Sequence, residues 1–250
     1  MRITASTMER MSRNLAFCVH PGLAAALRAL GAVLALSALV GCTPQAMLAS
    51  ALIPDGTMSV FLGRLEREED GNRKRILQLE ANKDWDGIAK FAEENLAKDR
   101  NNADWWFVAG YAHSEVGRHQ RAIECYSEMV RLAPDDMLGS TSLAQEYRAV
   151  KQPARAVQTL NNALRTRKGT PGIYFLLGES YADLDRDLPA AAAYRQAVQI
   201  DGEFAKAWFG LGRAYARLGR KDEYEKALTA LGKLDSALAQ QLAELRPGPR

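Results

Sequence analysis

The chain has 250 residues, of which 47% are hydrophobic and 25% charged, values typical of a folded protein and not of a disordered or collagen-like chain. The formal net charge of +3 arises entirely in residues 1–41, which hold four arginines and one glutamate, so the chain from Cys42 onward is neutral. A neutral folded part gives no electrostatic reason to expect nucleic-acid binding, which depends largely on neutralising phosphates.

Residues 1–41 combine a basic start with a short apolar run. The basic segment reaches Arg28, and the thirteen residues that follow it, 29–41, carry no charge. At about 1.5 Å per residue this run is shorter than a hydrocarbon core of about 30 Å, so it fits a signal-peptide apolar region better than a membrane anchor or a buried helix. The sequence Leu39-Val40-Gly41-Cys42 then resembles a lipobox, the recognition sequence of bacterial lipoprotein signal peptides.

The lipobox resemblance implies that the Cys42 thiol receives a diacylglycerol and that cleavage leaves this cysteine as the first residue of the mature chain. Lipidation adds at least two acyl chains, which is what stable anchoring requires. In enteric bacteria an aspartate after the cysteine resembles an inner-membrane retention signal, whereas this chain has Thr43. We therefore expect a lipid-anchored protein of the bacterial cell envelope, on the outer membrane and facing the periplasm; Met8 and Met11 are alternative starts.

Two segments follow the lipidated cysteine. Residues 42–57 contain proline and turn residues and are expected to form a lipidated tether, although their apolar patch at 47–53 is also compatible with docking on the folded part. Residues 58–102 are expected to form N-terminal helices and a degenerate repeat. Its expected elements are a short helix at 59–67, a helix at 73–81 with Ile76 and Leu79 inward, and the second half of a repeat at 83–102.

Residue types then recur every 34 positions from Ala103 onward, without a gap. The four units are residues 103–136, 137–170, 171–204 and 205–238. Position 8 of the unit is always small: Gly110, Ala144, Gly178 and Gly212. Position 24 is large: Tyr126, Leu160, Tyr194 and Leu228. Positions 7 and 11 hold, in order of the units, Ala109 and His113, Leu143 and Tyr147, Leu177 and Tyr181, Leu211 and Tyr215.

These positions fall on one face of each of two successive helices. We expect the small residue at position 8 to let the two helices of a unit approach closely and the large residue at position 24 to fill the neighbouring space. The pattern closely resembles the tetratricopeptide repeat (TPR), and 208–215, which reads Trp-Phe-Gly-Leu-Gly-Arg-Ala-Tyr, is the stretch nearest to that family's consensus. Ser140 departs from it by replacing the aromatic residue of position 4. The resemblance implies an all-α, right-handed solenoid of helix-turn-helix units, with four to five repeats.

A capping helix is expected after the last repeat. Leucines recur at helical spacing over 234–245, at Leu234, Leu238, Leu242 and Leu245. The end of this helix and a frayed tail make up the segment 239–250.

No constellation of catalytic or metal-binding residues stands out. His113 occupies a core position of its unit, His119 follows in a turn, and Cys125 is more consistent with packing than with reactivity. Neither a zinc motif nor a nucleophile elbow is present. The sequence therefore predicts a non-enzymatic protein without a metal or a cofactor.

The repeat resemblance also implies a ligand-binding groove. In this family the first helices line a concave surface through repeat positions 2, 5, 9, 12 and 13. Carried onto this chain, the pattern gives three phenylalanines at position 5 and charge that changes from acidic to basic along the surface. The residues expected to contact a partner are Phe107, Tyr111, Glu115, Gln145, Arg148, Phe175, Glu179, Phe209, Arg213 and Arg217.

The lysine and asparagine of the family's chaperone-type carboxylate clamp are absent from positions 5 and 9. We therefore expect a protein partner that presents an apolar helix or an extended segment, together with the membrane reached through the N-terminal lipid. The alternative for the aromatic rings is packing within the superhelix or against the N-terminal segment.

Together these expectations describe a membrane-anchored, non-enzymatic scaffold or adaptor for assembling an envelope complex. Lipoproteins of this architecture resemble the β-barrel-assembly TPR lipoprotein, the pilotin of pilus secretins and the adaptors of peptidoglycan hydrolases. Two alternatives remain open: a self-associating structural lipoprotein, and an adaptor that binds peptidoglycan or its hydrolases, since aromatic rings can stack on sugars.

Overall fold

The computed structural model describes residues 70–246, and within that range it contains eleven helices and no strand. The helices are α1 (Asp70–Ala81), α2 (Trp85–Leu96), α3 (Ala103–Glu115), α4 (His119–Leu132), α5 (Met137–Ala149), α6 (Pro153–Thr166), α7 (Pro171–Ala182), α8 (Asp187–Ile200), α9 (Ala205–Arg217), α10 (Lys221–Leu234) and α11 (Ser236–Glu244). The lipobox at Cys42, the tether at 42–57 and the helix expected at 59–67 lie outside the described residues.

The helices keep the 34-residue period without drift. The first helices of the four units begin at Ala103, Met137, Pro171 and Ala205, and the second helices begin at His119, Pro153, Asp187 and Lys221. Each helix packs on its neighbours in the chain, and α7 also packs on α5 and α9. The all-α repeat solenoid expected from the sequence is confirmed.

The N-terminal unit is present as well. Helix α2 begins at Trp85, one period before α4, and α1 precedes it. Ile76 and Leu79 of α1 are buried, as predicted, against the core of the first half of the solenoid. The degenerate unit therefore covers one end of the stack.

The turn between the two helices of a unit repeats one backbone conformation. The residue at repeat position 15 has positive φ in all five described units: Lys83 (54°), Gly117 (72°), Lys151 (59°), Asp185 (54°) and Gly219 (67°). The next N–H donates to a carbonyl five residues back, from Arg118 to His113 at 2.8 Å and from Arg220 to Tyr215 at 2.9 Å. This arrangement satisfies a carbonyl at the end of the first helix and reverses the chain.

Small residues let the two helices of a unit approach closely. A Cβ placed on Gly110 would lie 2.7 Å from the Tyr126 ring, and a Cβ on Gly178 would lie 2.6 Å from the Tyr194 ring. The contact expected between positions 8 and 24 is therefore confirmed in these two units. A Cβ placed on Gly210 of the next unit would also lie 2.6 Å from the Tyr194 ring.

The last unit is closed by α11 instead. Its position 24 is Leu228 and not a tyrosine, and a Cβ on Gly212 would lie 2.4 Å from Leu242 of α11. Leu242 is fully buried, and its carbonyl accepts a hydrogen bond from the Tyr224 hydroxyl at 2.8 Å. Helix α11 thus caps the solenoid, although the contact at Gly212 differs from the one expected.

The boundaries of the capping helix also differ from the expected helix over 234–245. Helix α10 extends to Leu234, and Asp235 starts a separate helix by accepting a hydrogen bond from the Leu238 N–H at 2.9 Å. Leu234 and Leu245 are exposed. An aspartate is a strong N-cap, and this local hydrogen bond outweighs the spacing of the leucines.

Candidate protein-binding surface

The phenylalanines predicted to line the groove do not share one environment. Phe107 has 0% of its surface exposed. Its ring centroid lies 6.4 Å from that of Tyr111 and 5.8 Å from that of Tyr126. The ring of Phe107 is part of the hydrophobic core and is not available to a partner, which corrects the expectation for this residue.

Phe175 and Phe209 are half-buried and retain accessible surface. The Phe175 ring packs 5.9 Å from Tyr194 and 5.1 Å from Phe204. The guanidinium of Arg213 lies 6.0 Å from the centre of the Phe209 ring, within the range of a cation–π contact. With Phe107 buried, Phe175 and Phe209 are the position-5 phenylalanines that remain accessible.

A network of charged groups occupies the middle of the predicted surface. The Glu179 carboxylate accepts hydrogen bonds from Arg148 Nη2 at 3.2 Å and from Arg213 Nη2 at 3.1 Å. It also accepts one from the Tyr194 hydroxyl. Arg148 Nε donates to Asp183 Oδ2 at 2.6 Å. We call these five residues the Glu179 cluster; it joins the first helices α5, α7 and α9 through side chains about one repeat apart.

Two members of the cluster have shifted pKa values, Arg148 and Tyr194. Burial alone would lower the pKa of Arg148, but the hydrogen bond and charge of Asp183, with the charge of Glu179, raise it above its ordinary value. Burial and Glu179 also raise the pKa of Tyr194, so its hydroxyl remains a donor. The side chains of Arg148, Glu179 and Arg213 are 24%, 21% and 34% exposed, so a partner can still reach them.

Three other predicted residues are not members of the Glu179 cluster. Arg217 pairs with Asp185 at 3.3 Å and with Asp187 at 3.4 Å. Glu115 is exposed at the end of α3, and Gln145 is half-buried on α5. Their roles in partner binding stay predictions.

The first units carry a second polar group. Glu146 is buried; its carboxylate accepts from the Ser114 hydroxyl at 2.6 Å and lies 2.8 Å from His119 Nδ1. Tyr111, a predicted groove residue, donates from its hydroxyl to Glu80 at 3.3 Å. As in the Glu179 cluster, most of these bonds join residues about one repeat apart and so connect successive units.

Repeat position does not indicate several members of these networks. Glu146 and Tyr194 lie outside the family's groove positions, and the sequence pattern places His119 in a turn. His119 is in fact the first residue of α4. A search for opposite charges spaced by one repeat, such as Arg148 with Asp183, would have found part of the Glu179 cluster.

Within the residues that the structure describes, no group of three or more histidine, cysteine, aspartate or glutamate side chains is placed to hold a metal ion. None of the helices over 70–246 is long and apolar enough to span a bilayer. The arrangement presents fixed charges and aromatic edges, which is the chemistry of a binding surface.

Family models described as tetratricopeptide repeat match residues 103–136, 141–203 and 205–237, just over half of the chain. The chain belongs to the tetratricopeptide repeat family. This assignment agrees with the helix starts, since the first and last matched units begin at the first residues of α3 and α9.

Known relatives share the repeats over part of their length. The chain is 28% identical to the general transcriptional corepressor trfA of Dictyostelium discoideum over 56% of this chain and 10% of that protein. It is 32% identical to BBSome complex member BBS4 of Bos taurus over 47% of this chain and 22% of that protein. Since the match spans less than a quarter of either relative, it carries over the repeat architecture alone.

Solved structures show the same fold. MamA from Desulfovibrio magneticus RS-1 superposes with a TM-score of 0.57 at 19% identity, covering 73% of this chain and 99% of that one. YrrB, described as a TPR protein with an unusual peptide-binding site, superposes with a TM-score of 0.58 at 16% identity, covering 76% and 98%. At these identities the likeness concerns the fold.

Proposed function

We propose that this protein is a non-enzymatic adaptor that binds a segment of another protein on the first helices α5, α7 and α9, and that a lipid on Cys42 tethers it to the bacterial envelope. The Glu179 cluster is the observation that carries the binding part. It holds two guanidinium groups at fixed places on α5 and α9, on either side of Glu179 of α7, beside Phe175 and Phe209. Arginine and aromatic side chains in fixed, partly buried positions are typical of residues that dominate protein interfaces.

The geometry also refines the class of partner. Because Phe107 is buried and Arg213 lies over Phe209, the accessible surface is less apolar than the sequence indicated. A segment with an apolar side chain next to a carboxylate fits it better than a purely apolar one. Its apolar group would lie on Phe209, and its carboxylate would accept hydrogen bonds from Arg213 or Arg148, a charge-assisted contact.

The binding surface is tested by affinity purification of the full-length protein from detergent-solubilised envelopes. The variants Phe209→Ala and Arg213→Ala are each expected to lose a partner that the unmodified protein retains. Leu188→Ala is the matched control, because Leu188 is an exposed apolar residue on the second helix α8, at 58% exposure. Retention of the same partners by all three variants would show that this surface is not the binding site.

The tether rests on the lipobox resemblance and is tested separately. Mass spectrometry of the mature protein is expected to find an acylated cysteine, residue 42, as its amino terminus. The variant Cys42→Ser is expected to keep its signal and lose the lipid. An unmodified Cys42 within a longer amino-terminal peptide would remove this part of the proposal and leave the binding surface untouched.

Self-association is the second candidate. Leu234 and Leu245, at the C-terminal end of the described residues, are 40% and 44% exposed. Such residues are suited to contact between copies, as solenoid ends are prone to stack. Light scattering that shows a stable monomer across a wide concentration range would exclude this role.

A further inference from the structure

A cleft of about 1150 Å³ lies between the second helices α2 and α4, over the first helix α3. Leu96, Ala109 and Cys125 contribute apolar and nearly fully buried lining, and the His113 ring contributes a polar group. None of the ten residues predicted for the groove lines this cleft. It is therefore a separate feature of the N-terminal half of the solenoid.

Two residues of the cleft are smaller than their counterparts in the other full repeats. Repeat position 7 is Ala109 here and leucine in all three later units, and repeat position 11 is His113 here and tyrosine in all three later units. The two residues are four apart on α3 and share one face of that helix. The first unit thus lacks the end of an aliphatic side chain and a phenol ring at adjacent places.

The next unit shows which contacts a tyrosine at repeat position 11 makes. Tyr147 of α5 packs between two core clusters, and the guanidinium of Arg155 lies 5.5 Å from its ring centre. The arginine at the same repeat position of the first unit, Arg121, pairs with Glu124 at 2.8 Å instead. Unit one therefore has a smaller ring, the His113 imidazole, at the place of the phenol in unit two, and the matching arginine is held by a glutamate.

His113 itself is incompletely satisfied. It is 9% exposed, and its Nδ1 is a buried atom without a hydrogen-bond partner among the described residues. Burial, and after it the charge of Arg118, lowers the pKa of His113, so the ring is neutral at neutral pH. A neutral imidazole can accept a hydrogen bond at Nδ1 when the proton is on Nε2. An unpaired buried acceptor favours any ligand that supplies a donor.

We propose that this cleft binds the side chain of a tyrosine from a partner protein. Its ring lies in the cleft beside Ala109, and its hydroxyl donates to His113. This site is independent of the surface on α5, α7 and α9, and it gives the adaptor a second point of attachment.

The charges around the cleft favour a polypeptide over an anionic small molecule. Three arginines and three glutamates line it: Arg100, Arg118, Arg121, Glu93, Glu124 and Glu128. Arg121 pairs with Glu124, and Arg118 pairs with Asp86 at 2.5 Å. Because the charges balance, the lining gives no net attraction for a phosphate or a nucleotide, whereas it offers donors and acceptors to a peptide backbone.

The proposal is tested with p-cresol, the side chain of tyrosine as a free molecule, titrated into the full-length protein and followed by NMR. We expect saturable binding, with toluene, which lacks the hydroxyl, binding roughly three- to tenfold more weakly. In the unmodified protein p-cresol is also expected to slow alkylation of Cys125, measured on its peptide by mass spectrometry. Absence of saturable binding, or equal binding of toluene, would overturn the assignment.

Variants locate the site. Filling the cleft with Ala109→Leu and His113→Tyr is expected to abolish p-cresol binding while the protein still unfolds cooperatively. Leu188→Ala, at an exposed residue of α8 outside both proposed sites, is expected to leave p-cresol binding unchanged. Should the double variant fail to fold, Ala109→Leu alone is expected to weaken binding. Undiminished binding in a folded cleft-filling variant, or a loss of binding in Leu188→Ala, would contradict the proposed site.

Discussion

Repeat position 15 shows how strongly single residues are controlled by their neighbours. All five described residues at this position have positive φ, although only Gly117 and Gly219 are glycines. A left-handed conformation costs a residue with a Cβ about 1–2 kcal/mol. Lys151 and Asp185 adopt this unfavourable conformation because the helices on both sides fix the turn. Gly117 is therefore under a backbone constraint and not a packing constraint, since a Cβ on this residue meets no atom within 4 Å.

A pair of glycines beside the same helix tests this constraint. Gly219 precedes α10 with a φ of 67°, whereas Gly232 lies within α10 and has open space around its Cβ position. Gly219→Ala is expected to lower the free energy of unfolding by about 1 kcal/mol. Gly232→Ala is expected to raise it by about 0.5–1 kcal/mol, because alanine favours a helix. Urea unfolding checks both; equal effects of the two variants would exclude a backbone origin.

Glu179 is the residue on which the Glu179 cluster depends. Replacing it by glutamine leaves two half-buried guanidinium groups facing a neutral amide, so Glu179→Gln is expected to reduce the free energy of unfolding by about 1–2 kcal/mol. The control is Glu124→Gln, which breaks the exposed pair with Arg121 and should cost less than about 0.5 kcal/mol. Urea unfolding measures both variants. Equal losses of unfolding free energy in Glu179→Gln and Glu124→Gln would contradict this role of Glu179.

We expect the free energy of unfolding to depend on pH through His113. Its pKa is lowered in the folded protein, chiefly by burial, so the unfolded chain binds the proton more tightly. Its contribution to stability is present above the unfolded pKa of about 6.5 and is lost as pH falls through the lower folded value. Between about pH 8 and about pH 5 the unmodified protein should therefore lose more stability than His113→Gln. Parallel curves for the two proteins would show that His113 does not titrate in this way.

At the scale of helices, the small and large side chains of the repeat predict which faces meet. Position 8 glycines meet position 24 tyrosines in the first and third units, and helix starts follow the 34-residue period. The repeat pattern does not predict the contacts and boundaries of the capping helix at the end of the solenoid. There an N-cap aspartate, Asp235, divides the expected helix, and Leu242 packs on Gly212. Leucine spacing alone does not contain that information, because capping is a local competition for backbone N–H groups.

The capping helix gives a prediction with a control in the same element. Leu242 is fully buried against the last unit, whereas Leu245 is exposed just beyond α11. Leu242→Ala should cost about 2–4 kcal/mol of local stability, and Leu245→Ala should cost little. Hydrogen exchange is expected to show faster exchange in α9 and α10 for Leu242→Ala only. If exchange in these helices does not change, α11 does not stabilise the last unit.

At the scale of the whole molecule, polar contacts connect each described repeat to the adjacent repeats. Polar contacts such as Arg148–Glu179 and Arg217–Asp185 join residues 31 to 35 positions apart, as does Ser114–Glu146. In a stack of this kind each unit is stabilised mainly by the units next to it. The proposed binding surface therefore depends on successive units together, and no single helix contains it.

The fold was predictable because its signal is repeated four times in the sequence. The binding surface was predictable only in part. Sequence position placed Arg148, Glu179 and Arg213 on the same side of the first helices of three successive units. It did not show that the two arginines pair with Glu179. It also did not show that Phe107 is buried while Phe209 is accessible. Side-chain burial depends on the local spacing of helices, which repeat position alone does not determine.

A photo-reactive amino acid placed at Phe209, in the full-length protein within intact bacterial envelopes, tests the proposed binding surface. We expect a discrete crosslink to another protein from position 209, which disappears when Arg213→Ala is added. The same probe at Leu188 on α8 is expected to give no such product. Crosslinks that are identical at the two positions, or a product at 209 that survives Arg213→Ala, would contradict the adaptor surface on α5, α7 and α9.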